Sequence, residues 1–178
     1  AAAGGVGLLT AQWASVLGAR VIGVVSTDAK AELALGNGCD EVISASDEHF
    51  VNHVRELTDG KGVAAVYDSV GQDTFFQSLD CLAPHGMMVT YGNASGAVEP
   101  FAPLELAKRG SLQLTRPVVF DFIKTREDLL AASADLFAVV ASGAVQVRVG
   151  NTLPLEEAAQ AHRALEARLT VGSTLLLP

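Results

Sequence analysis

The stretch Ala1-Ala2-Ala3-Gly4-Gly5-Val6-Gly7 decides the fold predicted for this chain of 178 residues. It is typical of the turn between the first strand and first helix of a dinucleotide-binding βαβ unit, with the strand itself largely missing. Such a turn needs glycine because it bends tightly, approaches a pyrophosphate and packs the helix closely on the sheet. Free N–H groups at the start of the following helix, residues 6–17, favour the same anion. Gly4, Gly5, Val6 and Gly7 are therefore candidate cofactor-binding residues, although an ordinary tight turn also uses glycine.

Strand-like and helix-like segments alternate along the following hundred or so residues, which indicates repeated βαβ wiring. The apolar run over residues 19–26 has the length of a strand buried on both faces of a parallel sheet. We therefore predict an α/β fold, a doubly wound parallel sheet of the Rossmann type with helices on both faces. The predicted strands are 21–26, 41–44, 63–67, 87–91 and 111–115, and the predicted helices are 6–17, 28–35, 47–58, 74–82 and 104–108.

The pattern changes beyond Pro117. A long helix at 126–142, a strand at 145–149, a second helix at 155–167 and a last strand at 173–177 are predicted there. We expect residues 1–120 to form the dinucleotide-binding domain. Residues 121–178 need not belong to this domain in the intact protein.

Composition narrows the class of protein. With 49% hydrophobic and 18% charged residues, the chain is typical of a soluble globular protein. It has neither an apolar stretch of membrane-spanning length nor a basic leader, so we expect a cytoplasmic location. A net charge of −8 argues against a nucleic-acid partner. Two cysteines, Cys39 and Cys81, are too few for a disulfide framework and are expected to be buried thiols.

In such folds, the residues at the end of the second strand determine which cofactor binds. An acidic residue there binds the ribose of NAD, whereas small polar and basic residues hold the 2′-phosphate of NADP. Here Ser26, Thr27 and Lys30 favour NADPH over NADH. Asp28 leaves the alternative open. It is either a cap or first-turn residue of the next helix, or a displaced ribose acceptor that would imply NAD.

Other candidate sites are weaker. His49 and His53 have the i, i+4 spacing of metal ligands, but no third ligand is evident, so a solvated helix face is the preferred interpretation. Two loops, 68–71 and 92–96, follow predicted strands, where ligands of open parallel sheets bind. Both could also be ordinary turns. No residue of the chain is a convincing general acid or base, and no catalytic residue is assigned.

In these residues and in several longer motifs, the chain resembles the zinc-free NADPH:quinone oxidoreductases of the medium-chain dehydrogenase/reductase superfamily. The resemblance rests on A-A-A-G-G-V-G-L at 1–8, V-Y-D-S-V-G at 66–71, S-L-D-C-L at 78–82, Y-G-N-A-S-G at 91–96, G-S-L-Q-L-T-R-P at 110–117 and G-S-T-L-L-L-P at 172–178. It implies the cofactor-binding half of an enzyme that transfers hydride from NADPH to a quinone or enone, works without a metal and forms a homodimer. It also implies that residues 121–178 form a carboxyl-terminal return segment, which would join the catalytic domain of the full-length protein.

The same resemblance implies roles for individual residues. Gly5 and Val6 would meet the pyrophosphate, and Ser26 to Lys30 the 2′-phosphate, with Arg168 as a second cation. Further contacts would come from Ser69 and Val70 on the adenosine side, and from Asn93, Ala94, Ser95, Gly96, Pro117, Val118 and Val119 on the nicotinamide side.

Two departures from the family pattern affect these expectations. Ala45 stands where the family often has a tyrosine that packs on the phosphate side. The amino-terminal half that supplies most of the substrate pocket is absent from the chain, so the fragment alone is expected to be inactive. A dinucleotide-sensing module without catalysis remains an alternative. A methyltransferase is less favoured because Ser26 is neutral.

Overall fold

The computed structural model describes residues 1–167 and 169–178. The strands are β1 (Ile22–Val25), β2 (Glu41–Ser44), β3 (Val63–Asp68), β4 (Leu82–Thr90), β5 (Gln113–Thr115), β6 (Val149–Pro154) and β7 (Ser173–Leu177). The α-helices are α1 (Gly5–Val16), α2 (Asp28–Leu35), α3 (Phe50–Leu57), α4 (Phe75–Asp80), α5 (Leu104–Lys108), α6 (Val119–Phe122), α7 (Arg126–Ala141) and α8 (Ala158–Glu166), and a 3₁₀ turn covers Leu155–Glu157.

The chain forms two compact units. One contains Ala1–Ser46 and Ser133–Pro178, and the other contains Asp47–Ala132. Both units contain parallel strands connected through helices, so the predicted α/β fold of the Rossmann type is confirmed. The predicted domain boundary between residues 120 and 121 stays a prediction.

In the first unit, β1 pairs with β2 and β6 pairs with β7, both in parallel. The glycine turn lies beside β1, because the Ala2 N–H donates to the Val24 carbonyl at 3.0 Å. Small side chains allow α1, α2 and β1 to pack closely around a buried cluster. Its members are Ala3, Ala11, Val25, Ala34 and Cys39.

In the second unit, β3, β4 and β5 form one parallel sheet in that order. Larger side chains fill its core, namely Phe75, Leu79, Leu82, Met88 and Leu112. The rings of Phe75 and Phe101 pack with centroids 5.1 Å apart. This core fixes the positions of the strand ends from which the functional loops leave.

The prediction of a strand at 145–149 is wrong. Val145 is fully buried, but the strand begins only at Val149. The backbone of Gln146 is satisfied instead by the Gln12 amide, which accepts from the Gln146 N–H at 2.8 Å and donates to its carbonyl at 3.1 Å. Val145 is therefore buried without being part of a strand.

Three predicted boundaries also change for local reasons. The helix predicted at 74–82 ends at Asp80, and β4 begins at Leu82. Pro84 favours this early end of the helix, because proline cannot continue a helix. The helix predicted at 47–58 begins at Phe50, since the Asp47 carboxylate accepts the His49 N–H at 2.8 Å and forms a turn first. The helix predicted at 155–167 starts with the 3₁₀ turn.

Two further observations concern the class of protein. Cys39 and Cys81 are free and buried, as predicted. Within residues 1–167 and 169–178, no helix is both long and apolar enough to cross a membrane.

Candidate functional site

The amino end of α1 has no cap of its own. Gly4 occupies its N-cap position, makes no side-chain hydrogen bond, and is followed by no acidic residue in the first turn. The first backbone N–H groups of a helix have no partner within it. A Cβ on Gly7 would collide with the Ala1 carbonyl oxygen, so only glycine permits this close start of the helix. This end of α1 is therefore suited to an anion.

Polar side chains gather where β1 ends and α2 begins. Thr27 is the N-cap of α2, and its hydroxyl accepts the Lys30 N–H at 3.3 Å. The Lys30 ammonium donates to the Ser26 hydroxyl at 3.4 Å. Asp28 lies exposed in the first turn of α2, where the helix dipole stabilises a carboxylate. Of the two helix positions predicted for Asp28, the structure therefore shows the first turn, and Thr27 is the cap.

The neighbouring strand ends beside this cluster. Val25 pairs with Ser44 in the β1–β2 register, and the Ala45 N–H donates to the Val25 carbonyl at 2.6 Å. The Ser44 and Ser46 hydroxyls lie 2.8 Å apart on either side of Ala45. At the position where the family often has a tyrosine, Ala45 therefore offers only a methyl group.

In the second unit, Asp68 organises the loop after β3. It is only 5% exposed, and its carboxylate accepts from the N–H groups of Val70 at 2.7 Å and Gly71 at 3.1 Å. The other oxygen accepts from the hydroxyls of Thr74 at 2.7 Å and Ser78 at 2.8 Å. Four donors on one buried carboxylate fix the turn that carries Ser69 and Val70.

The loop after β4 is joined to this turn. The Ala94 N–H donates to the Ser69 carbonyl at 3.2 Å, and the Ser95 N–H donates to the Val70 carbonyl at 2.8 Å. The Ser95 hydroxyl also donates to the Val70 carbonyl, at 2.9 Å. The structure therefore brings the two predicted loops, 68–71 and 92–96, into direct contact.

A groove of about 520 Å³ lies next to the second loop and is lined by Tyr91, Arg116, Pro117, Val118, Val119 and Phe122. The Arg116 guanidinium donates to the Gly92 carbonyl at 3.0 Å, which ties the start of this segment to the loop after β4. Val118 and Val119 are 48% and 60% exposed and present apolar surface to the groove. The predicted residues at 117–119 thus line one groove with Tyr91, the residue at which the loop after β4 begins.

The remaining predictions have different outcomes. Arg168 lies outside the described residues. His53 contacts the Asp47 carboxylate at 2.5 Å. The pKa of Asp47 lies below its usual value, chiefly because the carboxylate accepts the His49 N–H and also because it contacts His53. No group of three or more His, Cys, Asp or Glu side chains that could hold a metal occurs in the described part of the chain.

Sequence reasoning missed how the site is held together. The roles of Thr74, Ser78 and Arg116 depend on contacts across the second unit. One signal was available, because an aspartate at a strand end followed by a glycine turn is typical of a side chain that caps its own turn. The hydroxyls six and ten residues later offer no comparable signal.

Comparison with known proteins identifies the family. Residues 5–135 match the family described as zinc-binding dehydrogenase. The chain belongs to the zinc-binding dehydrogenase family. This result agrees with the predicted membership of the medium-chain dehydrogenase/reductase superfamily.

Several known proteins are similar over the whole chain. Quinone oxidoreductase 1 of Escherichia coli strain K12 is 49% identical over 100% of the chain and 55% of its own length. A 2-haloacrylate reductase of Burkholderia is 48% identical over 100% of the chain and 54% of its own length. A mycobacterial protein solved in complex with NADPH superposes with a TM-score of 0.97 at 49% identity, over 100% of this chain and 56% of that one. The chain spans about half the length of the curated relatives it matches.

Proposed function

We propose that this chain is the NADPH-binding part of a quinone oxidoreductase, which transfers hydride from NADPH to a quinone or enone. The observation that carries the proposal is 49% identity, over the full chain, to a quinone oxidoreductase. The similar reductase of 2-haloacrylate is consistent with this acceptor class, since an acrylate also contains a conjugated carbon–carbon double bond. The similar mycobacterial structure contains NADPH.

Two places in the first unit suit the phosphates of this cofactor, namely the amino end of α1 and the polar cluster between β1 and α2. The uncapped end of α1 would receive the pyrophosphate through the N–H groups of Gly5 and Val6. Lys30, Ser26 and Thr27 would hold the 2′-phosphate. Thr27 uses a lone pair to cap α2, so its hydroxyl proton remains able to donate to a phosphate oxygen.

In the second unit, Ser69 and Val70 would lie on the adenosine side and residues 93–96 and 117–119 on the nicotinamide side. The bound cofactor would supply the hydride, and these residues would supply position and shape. The exposed amide of Asn93 offers a donor and an acceptor for the carboxamide. The apolar groove at Val118 and Val119 would exclude water from one face of the ring.

Five finer expectations stay predictions. The absence of zinc from the complete protein follows from the resemblance, as does the homodimer. The cytoplasmic location follows from the sequence, and the role of residues 121–178 as a return segment to a catalytic domain follows from the resemblance. Arg168 remains the predicted second cation at the 2′-phosphate.

The cofactor preference can be tested with Lys30→Ala. Losing one charge-assisted contact costs about 1.5–3 kcal/mol, so affinity for NADPH should fall by about tenfold or more while affinity for NADH stays nearly unchanged. Isothermal calorimetry on the complete protein measures both. Lys61→Ala, which removes an exposed lysine in the turn before β3, is the charge-matched control and should alter neither affinity.

Equal affinity of the unchanged protein for NADPH and NADH would contradict the proposed preference and would favour Asp28 as a ribose acceptor. Tight NADPH binding without reduction of any quinone or enone would favour the dinucleotide-sensing alternative.

A further inference from the structure

The hydroxyl of Ser95 forms two hydrogen bonds within the protein. It donates its only proton to the Val70 carbonyl at 2.9 Å and accepts the Asp73 N–H at 3.0 Å. A hydroxyl has one donor and two acceptor positions, so only one lone pair remains. Ser95 therefore holds the turn after β3 from outside, although it lies on the loop after β4.

Asp68 holds the same turn from the inside. Its carboxylate accepts the N–H groups of Val70 and Gly71, and the hydroxyls of Thr74 and Ser78 fix the carboxylate in turn. The residues between Asp68 and Asp73 are thus held from both sides. A turn restrained in this way has little conformational freedom to lose when a ligand binds.

The backbones of the two loops are in contact. A Cβ on Gly71 would lie 2.6 Å from the Gly96 carbonyl oxygen, and a Cβ on Gly92 would collide with the Ser69 carbonyl oxygen. The Gln72 N–H donates to the Gly96 carbonyl at 3.2 Å. Close approach permitted by glycine makes the two loops a single surface.

Two polar side chains on this surface are available to a ligand. Within the described part of the chain, neither the Ser69 hydroxyl nor the Asn93 amide forms a hydrogen bond. Asn93 is exposed and Ser69 is half-buried. On this surface, Asp68 and Ser95 hold the loops in place, whereas Ser69 and Asn93 are able to contact a ligand.

We propose that Asp68 and Ser95 are positioning residues that lock the turn 69–71 and the loop 92–96 into one preformed platform, from which Ser69 and Asn93 contact a bound dinucleotide. The inference rests on the proposed function and deepens it. It assigns Ser95 a role through the loop it holds and not through its own contact with the cofactor.

A matched control exists at the opposite end of β3. The Thr58 hydroxyl donates to the Val54 carbonyl at 2.8 Å and accepts the Gly62 N–H at 2.9 Å. It therefore makes the same pair of contacts as Ser95, on a turn that precedes β3 instead of following it. Thr58→Val removes this pair without touching the platform.

The experiment uses the complete protein with Ser95→Ala, Ser95→Thr and Thr58→Val. Calorimetry gives the dissociation constant for NADPH, steady-state kinetics with a simple quinone give KM and kcat, and hydrogen exchange reports the N–H groups of residues 70–73. Ser95→Ala should weaken NADPH binding by about fivefold and raise the KM for NADPH similarly, because the platform must then be ordered at binding. The kcat at saturating NADPH should stay within about twofold.

Ser95→Thr, which keeps the hydroxyl, should restore affinity. Thr58→Val should lower the melting temperature at least as much as Ser95→Ala does and leave the affinity for NADPH unchanged. The inference is overturned if Ser95→Ala binds NADPH as tightly as the unchanged protein, or if Thr58→Val weakens binding equally. If the unchanged protein binds no NADPH, the proposed function is wrong and this inference falls with it.

Discussion

At the scale of single residues, Asp68 has the largest predicted effect on stability. Asp68→Ala leaves four donors without their buried acceptor, and each unsatisfied buried donor costs about 1–3 kcal/mol. We expect the free energy of unfolding, measured with urea, to fall by about 3 kcal/mol or more.

Asp68→Asn is the informative companion variant. Its amide oxygen can accept from Val70 and Gly71, and its NH₂ group can donate to the Thr74 and Ser78 hydroxyls once these rotate. A loss of about 1 kcal/mol is expected. Equal losses for the two variants would show that hydrogen bonding is not the role of this carboxylate.

The two cysteines should be unreactive in the folded protein. Burial raises the pKa of the Cys81 thiol to about 12 and also raises the pKa of Cys39. Because the thiolate is the reactive form, a raised pKa leaves little of it at pH 8. Alkylation by iodoacetamide, followed by mass spectrometry, should be slow in buffer and rapid in urea. Rapid labelling of Cys81 in buffer would contradict the buried position.

At the scale of elements, the sequence predicted what local interactions determine. The helix at Asp28–Leu35 has the bounds predicted for it, since Thr27 caps it and Asp28 suits its first turn. The contact of Lys30 with Ser26 likewise joins residues one helical turn apart. Such short-range features can be inferred from residue types and spacing.

Long-range contacts explain what could not be predicted. Gln12 and Gln146 are 134 residues apart, yet their pairing replaces the strand expected at 145–149. Ser95 reaches back 25 residues to Val70, so its role in holding the turn depends on the order of strands in the sheet. No pattern within either segment indicates these pairings.

The pairing of Gln12 with Gln146 can be tested directly. Gln12→Ala leaves the N–H and carbonyl of Gln146 without their partner, so stability should fall by about 2 kcal/mol. Exchange of the Gln146 N–H should become much faster. Gln160→Ala, an exposed glutamine of α8, is the control and should change the free energy of unfolding by less than about 0.5 kcal/mol. Unchanged exchange at Gln146 in Gln12→Ala would contradict the pairing.

At the scale of the whole molecule, the edge of the second unit's sheet bears on assembly. In the described part of the chain, β5 pairs with β4 and with no other strand, and Gln113–Thr115 is exposed. An open strand edge can pair with a second copy. Light scattering on the complete protein at tens of micromolar should therefore report a dimer.

A charge on that edge should disfavour such pairing. Leu114→Lys is expected to shift the protein toward monomer, whereas Leu104→Lys, at a more exposed leucine of α5, should leave the dimer intact. A monomer before any substitution would contradict the predicted homodimer.

The length of the chain leads to a further expectation. It spans 55% of the similar Escherichia coli quinone oxidoreductase and 54% of the similar 2-haloacrylate reductase, so a quinone pocket is expected to need residues beyond it. Positioning of reactants accounts for several kcal/mol of barrier lowering. The 178 residues alone should bind NADPH weakly and reduce quinones barely above the uncatalysed rate. Turnover by this chain at roughly 1–1000 per second would place the catalytic groups within it.

The most direct test of the central claim is a titration of the complete, ¹⁵N-labelled protein with NADPH, followed through its backbone amide signals. Saturable shifts are expected at Gly5 to Gly7, Ser26 to Lys30, Ser69 and Val70, and residues 93–96. With NADH, the shifts at Ser26 to Lys30 should be smaller because the 2′-phosphate is missing. Saturable shifts confined to other parts of the chain, or no shifts at all, would contradict the claim that these residues bind NADPH.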